Sequence, residues 1–351
     1  SLKSATNIEQ LFTPNGGESG GAQEVVTNYA AAEIEADEHL CAIGKTKPEY
    51  VVAEFNDDYT EVVITKNGDE SDGLMMDWIE IDWESGMPIS MSESPMVQHI
   101  TTLLNADIRN GVKNIGAAAF PASDLDTGED VVSAIEELTI SNSVKEIGFY
   151  AFYNSTNLKN LYYNGTADEW VNILILGLES SPIEYTENLY FNNSLVTSVS
   201  FNSNINEIGT CSFYGYEKLT SVKIPDSVTT VGKYAFANCN ISDLTMPDNM
   251  NIWYNSFLGN PVVETFCNSS YQGTYVQNYI LRVGRYQSAQ YAGIKEGTTN
   301  IANGAVSETD TWLYSLYLPD GIINIAPNAI HPSANVSTVF GTPGSYVETW
   351  A

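Results

Sequence analysis

A short motif recurs along most of the chain, and this internal repetition limits its possible folds more than any other feature. The aligned phenylalanines Phe213, Phe236 and Phe257 lie 23 and 21 residues apart. A unit of this length cannot bury its own apolar side, whereas stacked units share a continuous core. The sequence therefore predicts a solenoid built from residues 106–120, 138–152, 199–213, 219–239, 244–257, 292–306 and 316–330.

Each copy contains two short apolar stretches joined by a turn. The alternation in Leu244-Thr245-Met246 is typical of a strand with one buried face. A Pro-Asp pair follows in the best copies, as at Pro225, and favours a turn because proline presets φ and aspartate bonds its own backbone. We expect a tight corner or a close neighbouring backbone at Gly148, Gly209 and Gly232. We expect one buried column of closing side chains, formed by Phe152, Phe213, Phe236 and Phe257.

These residues resemble the BspA-type leucine-rich repeat family, which occurs on surface proteins of gut and oral bacteria and of some parasitic protists. The resemblance covers residues 100–351 and includes the strand-then-helix insertion LYYNGTADEW and the terminal GSYVETWA. It implies an α/β-type repeat solenoid, a right-handed leucine-rich-repeat coil with a parallel sheet on one face and a small N-terminal α+β cap. Two T/S-x-x-E capping boxes are expected, Thr166 with Glu169 and Ser345 with Glu348.

The chain is expected to divide into four segments. Residues 1–48 form a helical or irregular segment, in which Ala22 to Leu40 has a helical pattern, and residues 49–100 form a β-rich cap. Within the cap, residues 51–65 carry a hairpin signal around Asn56-Asp57-Asp58. Residues 101–340 form the solenoid, with an insertion at 161–190, and residues 341–351 form a short helical cap.

The charge balance limits the partners of the chain. Fourteen Lys and Arg stand against 44 Asp and Glu, which gives a net charge of −30. Such a surface repels phosphate backbones and anionic lipids, because binding them needs clustered Lys and Arg. We therefore expect no nucleic-acid partner. No apolar run reaches the roughly 18 residues of a membrane span, so no membrane insertion is expected.

The four cysteines do not form a metal or disulfide pattern. No two of them make a C-x-x-C pair, and the equal spacing of Cys211, Cys239 and Cys267 does not match the repeat period. We expect four free thiols, with these three largely buried as small hydrophobic side chains.

Catalytic motifs are absent from the sequence. The three histidines, His39, His99 and His331, lie at no metal-ligand spacing from one another, and no nucleophile elbow or phosphate loop occurs. A Cys41–His39 pair and a calcium loop at Asp124 to Asp130 are the candidates for chemistry, but the loop lacks a closing Glu at twelve-residue spacing. We expect no cofactor, no metal and no catalytic residue.

The best candidate for a binding surface is the outward face of the predicted sheet. Its mid-strand residues should form one column: Asp107, Thr139, Tyr162, Tyr190, Ser200, Lys223, Thr245 and Tyr317. Exposed tyrosines supply contact area at low entropy cost, so Tyr162, Tyr190, Lys223 and Tyr317 are the candidate ligand-binding residues. They are equally compatible with β-forming residues that merely suit a sheet. Other candidate surfaces are the opposite face and the insertions at 121–134 and 268–290.

Three functions follow from these patterns. The first is a secreted or cell-surface binding or adhesion protein that recognises an extracellular protein or glycan of host or microbial origin. The second is a carbohydrate-active or peptidase enzyme in the N-terminal third, with the repeats as a targeting arm. The third is a self-assembling structural module of a surface layer.

Overall fold

The computed structural model describes residues 29–81, 88–124, 129–267, 271–285 and 290–350. The chain divides into two compact units, Ser1–Val196 and Thr197–Ala351. Each unit contains parallel strands stacked in successive coils.

The first unit begins with an α+β cap. Its elements are α1 (Ala31–Ala36), β1 (Leu40–Ala42), a 3-10 turn (Pro48–Tyr50), β2 (Val51–Phe55), β3 (Glu61–Lys66), β4 (Ile79–Ile81), β5 (Pro88–Met91) and α2 (Pro95–Gln98). Strands β1, β2 and β3 pair antiparallel, which confirms the hairpin predicted at residues 51–65. The Oδ1 atom of Asn56 accepts hydrogen bonds from the backbone N–H groups of Thr60 and Glu61, at 2.9 and 3.0 Å, and closes the hairpin loop.

The coils of the first unit follow the cap. Their elements are β6 (Asn105–Ile108), β7 (Asn114–Ile115), β8 (Ser123–Asp124), β9 (Glu129–Asp130), β10 (Glu137–Ser141), β11 (Glu146–Ile147), β12 (Asn160–Asn164), α3 (Ala167–Trp170), β13 (Leu174–Ile175), two 3-10 turns (Leu178–Ser180 and Pro182–Glu184), β14 (Asn188–Phe191) and β15 (Ser194–Leu195). The main sheet has the order β1-β2-β3-β6-β10-β12-β14-β15, and a second sheet has the order β13-β11-β7. Since β3 pairs parallel with β6, the cap sheet continues directly into the coil sheet.

The second unit repeats the same plan, and an antiparallel hairpin (strands Tyr271–Val276 and Tyr279–Arg285) is inserted in it. Its elements are β16 (Ser198–Ser200), β17 (Glu207–Ile208), β18 (Ser221–Lys223), β19 (Thr230–Val231), β20 (Asp243–Thr245), β21 (Asn251–Ile252), β22 (Glu264–Cys267), β23 (Tyr271–Val276), β24 (Tyr279–Arg285), β25 (Tyr291–Gly293), β26 (Asn300–Ile301), β27 (Ser315–Tyr317), β28 (Asn324–Ile325), β29 (Thr338–Phe340) and α4 (Tyr346–Trp350). Its sheets have the orders β16-β18-β20, β17-β19-β21, β22-β23-β24-β26-β28 and β25-β27-β29. The predicted parallel-strand solenoid with a small N-terminal cap is confirmed, and its coils return mainly through turns and two-residue strands.

The closing phenylalanines are buried, as the repeat pattern predicts. Phe152, Phe213, Phe236 and Phe257 are at most 1% exposed. In the second unit the Phe236 ring stacks on Phe213 at 5.5 Å and on Phe257 at 5.4 Å between ring centroids. In the first unit Phe120 and Phe152 stack at 5.4 Å. In these coils, therefore, the closing ring of one coil packs against the closing ring of the next.

The corner glycines are needed because the next coil approaches closely. A Cβ atom at Gly148 would lie 2.5 Å from the backbone nitrogen of Ala117, and one at Gly232 would lie 2.6 Å from that of Thr210. Separations below 3.0 Å are not available to real side chains. The predicted close approach of neighbouring backbone is therefore confirmed at both positions.

Of the two capping boxes predicted for the helices, one is confirmed. In α3 the Thr166 hydroxyl accepts from the Glu169 N–H at 3.2 Å, and Glu169 accepts from the Thr166 N–H at 2.8 Å, so this capping box forms. The box predicted at Ser345 is wrong: Glu348 accepts instead from the Gly344 N–H, and the Ser345 hydroxyl is buried without a partner among the described residues.

The helix predicted from Ala22 to Leu40 is also too long. Residues 22–28 lie outside the described part of the chain. The described helix ends at Ala36, and Leu40 already belongs to β1, where it pairs with Glu54. Pairing with the hairpin outweighs the helical periodicity of these last residues.

The cysteines are free, but one of them is not buried as expected. Cys211 and Cys239 are 1% and 5% exposed, and Cys41 is half-buried. Cys267 is exposed, which corrects the prediction for this residue. It ends β22, which pairs with the inserted hairpin, and its side chain lies at the surface.

We expect the cysteines to react with iodoacetamide in a defined order in the native protein. Cys267 should be labelled first because it is exposed. Burial raises the pKa of the Cys41 thiol, and raises that of Cys239 to about 12, so both hold little thiolate at neutral pH. Peptide mass spectrometry of time points checks the order. Labelling of Cys211 or Cys239 before Cys267, without denaturant, would contradict the packing described above.

Candidate binding surface

The predicted outward column is present, but it is divided among three sheets. In the first unit the strand register aligns Asp107, Thr139, Tyr162 and Tyr190 in one row. In the second unit one sheet aligns Ser200, Lys223 and Thr245. Another sheet aligns Gly293, Tyr317 and Phe340. The alternation of buried and outward residues predicts each row correctly, but the inserted hairpin separates the two rows of the second unit.

Two of the candidate tyrosines form a stacked pair. The rings of Tyr162 and Tyr190 lie 4.8 Å apart between centroids, with an angle of 17° between their planes. The neighbouring residues Leu161 and Leu189 are fully buried and hold the two strands in place. Partial burial raises the pKa of Tyr162, and the nearby Glu137 and Tyr190 raise it further. The Tyr162 hydroxyl is therefore a neutral hydrogen-bonding group at physiological pH.

A second outward row beside the tyrosines is polar. The Asn188 amide donates to Asn160 Oδ1 at 3.0 Å, the Asn160 amide donates to Glu137 at 3.3 Å, and the Asn105 amide donates to Glu61 at 3.1 Å. Since these side chains bond to one another across strands, they form a pre-ordered polar border. The border carries the carboxylates of Glu61 and Glu137, so its charge is negative.

The candidate residue Lys223 lies apart from any aromatic cluster of its sheet. It is exposed in β18 between Ser200 and Thr245. Its row therefore offers one positive charge and two hydroxyls, and no ring for an apolar contact. The structure does not bring Lys223 into one sheet with Tyr162, Tyr190 or Tyr317.

The last sheet carries an aromatic group of which the sequence patterns identified only Tyr317. The Tyr317 ring stacks on Phe340 at 4.4 Å and 9°, and meets Tyr291 at 6.0 Å and 82°. All three side chains are 44–49% exposed. The signal for Phe340 was present, because it follows Tyr317 by 23 residues, the spacing that also separates Phe213 from Phe236.

Ring stacking and burial surround the two candidate catalytic residues of the N-terminal third, His39 and Cys41. His39 stacks on Tyr59 at 5.1 Å, and Tyr59 stacks on His99 at 4.0 Å. Burial raises the pKa of Cys41, whereas a cysteine nucleophile needs a lowered pKa. The pair Cys41 and His39 therefore lacks the electrostatics of a catalytic dyad.

Metal sites and membrane spans each need a particular grouping of residues. Within residues 29–350, apart from the undescribed gaps, no group of three or more His, Cys, Asp or Glu side chains could hold a metal ion. The candidate calcium loop includes residues 125–128, which lie outside the described part. No described helix is both long and apolar enough to cross a bilayer.

Several solved structures are similar to the chain. A leucine rich cell surface protein from Faecalibacterium prausnitzii shares 15% identity, over 84% of this chain and 75% of that one, with a TM-score of 0.29. The pneumococcal vaccine antigen PcpA shares 15% identity, over 83% and 68% of the two chains, with a TM-score of 0.31. A leucine-rich repeat protein from Bacteroides ovatus shares 16% identity, over 83% and 69%, with a TM-score of 0.30. No curated protein matches the chain.

One family model matches part of the coils. Residues 130–172 and 184–271 match the model of the BspA type leucine rich repeat region, in six copies. These ranges contain the stacked tyrosines Tyr162 and Tyr190, the exposed Lys223 and three of the closing phenylalanines of the second unit. The coils in these two ranges are therefore BspA-type leucine-rich repeats.

Proposed function

We propose that the chain is a secreted or cell-surface binding protein that recognises an extracellular macromolecule through the outward faces of its coil sheets. The observation that carries this proposal is the stacked pair Tyr162 and Tyr190, held in register on two adjacent parallel strands. Rigid aromatic side chains are the groups that dominate binding energy at interfaces. The family, which occurs on microbial surface proteins, supports the location at the cell surface.

The geometry of the first unit favours a protein ligand over a glycan at this pair. A sugar ring binds best against a free aromatic face, whereas Tyr162 and Tyr190 each use one face to stack on the other. Thr139 and Leu195 lie opposite them on the flanking strands, beside the outer faces of the two rings, so the ring edges and hydroxyls are left for contacts with a ligand. The polar row of Glu137, Asn160 and Asn188 beside them offers hydrogen bonds to a peptide backbone or to polar side chains.

A role in binding, and not in catalysis, agrees with the chemistry of the described residues. Repeat coils of this family are generally non-enzymatic scaffolds. The enzyme alternative would require a cleft with convergent polar groups in the N-terminal third, where the ring stack at Tyr59 and the ion pair between Lys45 and Asp77 tie strands and turns together. We therefore place recognition on the coil sheets and propose no catalytic residue.

Changing Tyr162 and Tyr190 together to alanine should weaken binding of the ligand by about tenfold or more, because both anchors of the patch are lost. The ligand is first identified on arrays of extracellular matrix proteins, microbial surface proteins and glycans. Affinity is then measured by surface plasmon resonance with wild type and the double variant.

The matched control is Thr139→Ala, which changes an outward residue of the same row on the neighbouring strand β10. Circular dichroism and thermal melting establish that each variant is folded. Equal affinities of the folded double variant and wild type would remove this patch from the proposed interface. The insertions at 121–134 and 268–290 would then be the next surfaces to change.

A further inference from the structure

Strand β29 has one edge that no described strand covers. Its sheet has the order β25-β27-β29, so β27 lies on one side of it. The Thr338 N–H donates to the Tyr314 carbonyl at 3.1 Å. The Phe340 carbonyl accepts from the Leu318 N–H at 2.9 Å. Because successive residues of a strand point their backbone groups to opposite sides, Val339 turns its N–H and C=O away from β27, toward the uncovered edge.

The side chains at this edge leave apolar surface on both faces of the sheet. On the outward face Phe340 is 44% exposed, and one face of its ring stacks on Tyr317 at 4.4 Å. Since Tyr317 belongs to β27, the other face of the Phe340 ring points toward the uncovered edge. On the inner face Val336, Val339 and Trp350 pack against the core of the last coils and stay partly exposed. A further strand at this edge would cover apolar surface on both sides.

The edge also lacks the charges that commonly prevent strands from pairing. Natural sheet edges are blunted by lysine, by other charged residues or by proline. Strand β29 consists of Thr338, Val339 and Phe340 and has none of these. Residues 321–347 contain no Asp, Glu, Lys or Arg, although these four types make up 17% of the chain. The last coil is therefore an uncharged region of a strongly acidic protein.

This distribution of charge favours a second copy of the chain as the occupant of the edge. Two copies with a net charge of −30 repel each other wherever their acidic surfaces meet. Repulsion at contact is smallest where charged residues are absent, which is at residues 321–347. A basic partner, by contrast, gains nothing from an uncharged edge and would be attracted to the acidic surfaces instead.

We propose that two copies of the chain pair antiparallel through β29, about a two-fold axis at Val339. Each Val339 N–H would donate to the Val339 carbonyl of the second copy, which makes the contact self-complementary as a two-fold interface requires. In this register Thr338 lies opposite Phe340 of the second copy, and its methyl group covers the free face of that ring. The two three-stranded sheets would join into one sheet of six strands.

The dimer should be weak and should tighten with salt. A three-residue strand gives few hydrogen bonds and a small contact, so we expect a Kd on the order of 100 µM near physiological ionic strength. Because salt screens the repulsion between like-charged copies, the Kd should fall by at least about threefold between roughly 0.05 and 0.5 M NaCl. Sedimentation equilibrium at protein concentrations from about 10 to about 500 µM measures both values.

The substitution Thr338→Glu tests the position of the contact. Thr338 is exposed, so the fold should survive, and circular dichroism and thermal melting check this. Across the axis the new carboxylate would lie against Phe340 of the second copy and near its own symmetry mate, so the Kd should rise by about tenfold or more. The matched control is Thr245→Glu, which makes the same change at an exposed outward residue of β20, in another sheet. This control should change the Kd by less than about twofold.

Hydrogen exchange in the wild-type protein tests the same edge without a substitution. Pairing protects the Val339 N–H, so the peptide that spans residues 336–342 should exchange more slowly at high protein concentration than at low concentration. Peptides from β20 should exchange equally at both concentrations. Slower exchange confined to other parts of the chain would overturn the proposal.

Three further results would contradict pairing through β29. The first is a wild-type protein that stays monomeric up to about 500 µM at high salt. The second is an equal loss of association in Thr338→Glu and Thr245→Glu, which would show a contact elsewhere. The third is a monomeric wild type whose binding of a different macromolecule is lost in Thr338→Glu, because the edge would then accept another protein.

This inference goes beyond the proposed function, and the two can fail separately. Tyr162 and Tyr190 belong to a different sheet and a different unit from β29. Their double variant should therefore dimerise like wild type even where it loses its ligand. Thr338→Glu should conversely keep ligand affinity measured at concentrations well below the Kd of the dimer.

Discussion

Replacing Phe236 with alanine should lower the free energy of unfolding of the second unit by about 3–5 kcal/mol. The side chain is fully buried and lies between two other rings, Phe213 and Phe257, at 5.5 and 5.4 Å. Its loss would therefore remove two ring contacts and leave a cavity that the rigid coils on both sides cannot close. Because neighbouring repeats stabilise each other, the damage should extend to adjacent coils.

Urea unfolding followed by circular dichroism measures the change in free energy, and limited proteolysis locates it. Cleavage in the variant should begin within residues 200–260. The control is Leu258→Ala, one residue after Phe257, because the Leu258 side chain is 47% exposed and its loss should cost less than about 0.5 kcal/mol. Equal unfolding curves for the Phe236 variant and wild type would show that the ring column does not stabilise the coils.

Much of the coil architecture could be predicted because one physical rule repeats in every copy. Alternation places Leu138, Leu161 and Leu189 inward and fixes the register of their strands, since a shift by one residue would expose all of them. The same rule places Tyr162 and Tyr190 outward and next to each other. The stacked pair was therefore predictable as a neighbouring pair, although its ring geometry was not.

The sequence places an insertion at 268–290, but its hairpin form was harder to predict, because a coil and a hairpin use the same alternation. Strands β23 and β24 pair antiparallel around Gln277, which has a φ of 51°. In sequence this region has the alternating pattern of a degenerate repeat, and only the short turn at residues 277 and 278 distinguishes it. The exposure of Cys267 follows from the same insertion, since its strand pairs with the hairpin.

Backbone conformation at the corners could not be predicted from residue types. Cys211 and Tyr234 have φ values of 59° and 55°, in a region that favours glycine, and each follows a corner glycine by two residues. Neither residue type indicates a left-handed backbone. Tertiary hydrogen bonds impose it, because the Cys211 N–H donates to the Lys233 carbonyl of the next coil at 3.0 Å.

Gly232 is the corner glycine of the coil that follows the one containing Cys211. Changing Gly232 to alanine should destabilise the second unit by about 3 kcal/mol, at the upper end for the insertion of one methyl group. The new Cβ would lie 2.6 Å from the Thr210 nitrogen and 2.9 Å from the Gly209 carbonyl carbon. Both atoms are backbone of the preceding coil, so no side-chain rotation can relieve the overlap. The two coils must separate, and the hydrogen bond from the Gly232 N–H to the Ile208 carbonyl, now 2.9 Å, must lengthen.

The same substitution at Gly293 is the matched control, because it adds the same methyl group to the same unit where no heavy atom of the described residues lies within 4 Å of the new Cβ. Gly293→Ala should leave the free energy of unfolding unchanged or raise it by up to about 1 kcal/mol, since alanine restricts the unfolded chain more than glycine does. Urea unfolding of both variants measures the difference. A loss of less than about 1 kcal/mol in Gly232→Ala would mean that the coils can slide apart at little cost. Close backbone packing at the corner would then not be what selects glycine there, and the spacing of successive rings in the phenylalanine column would be adjustable.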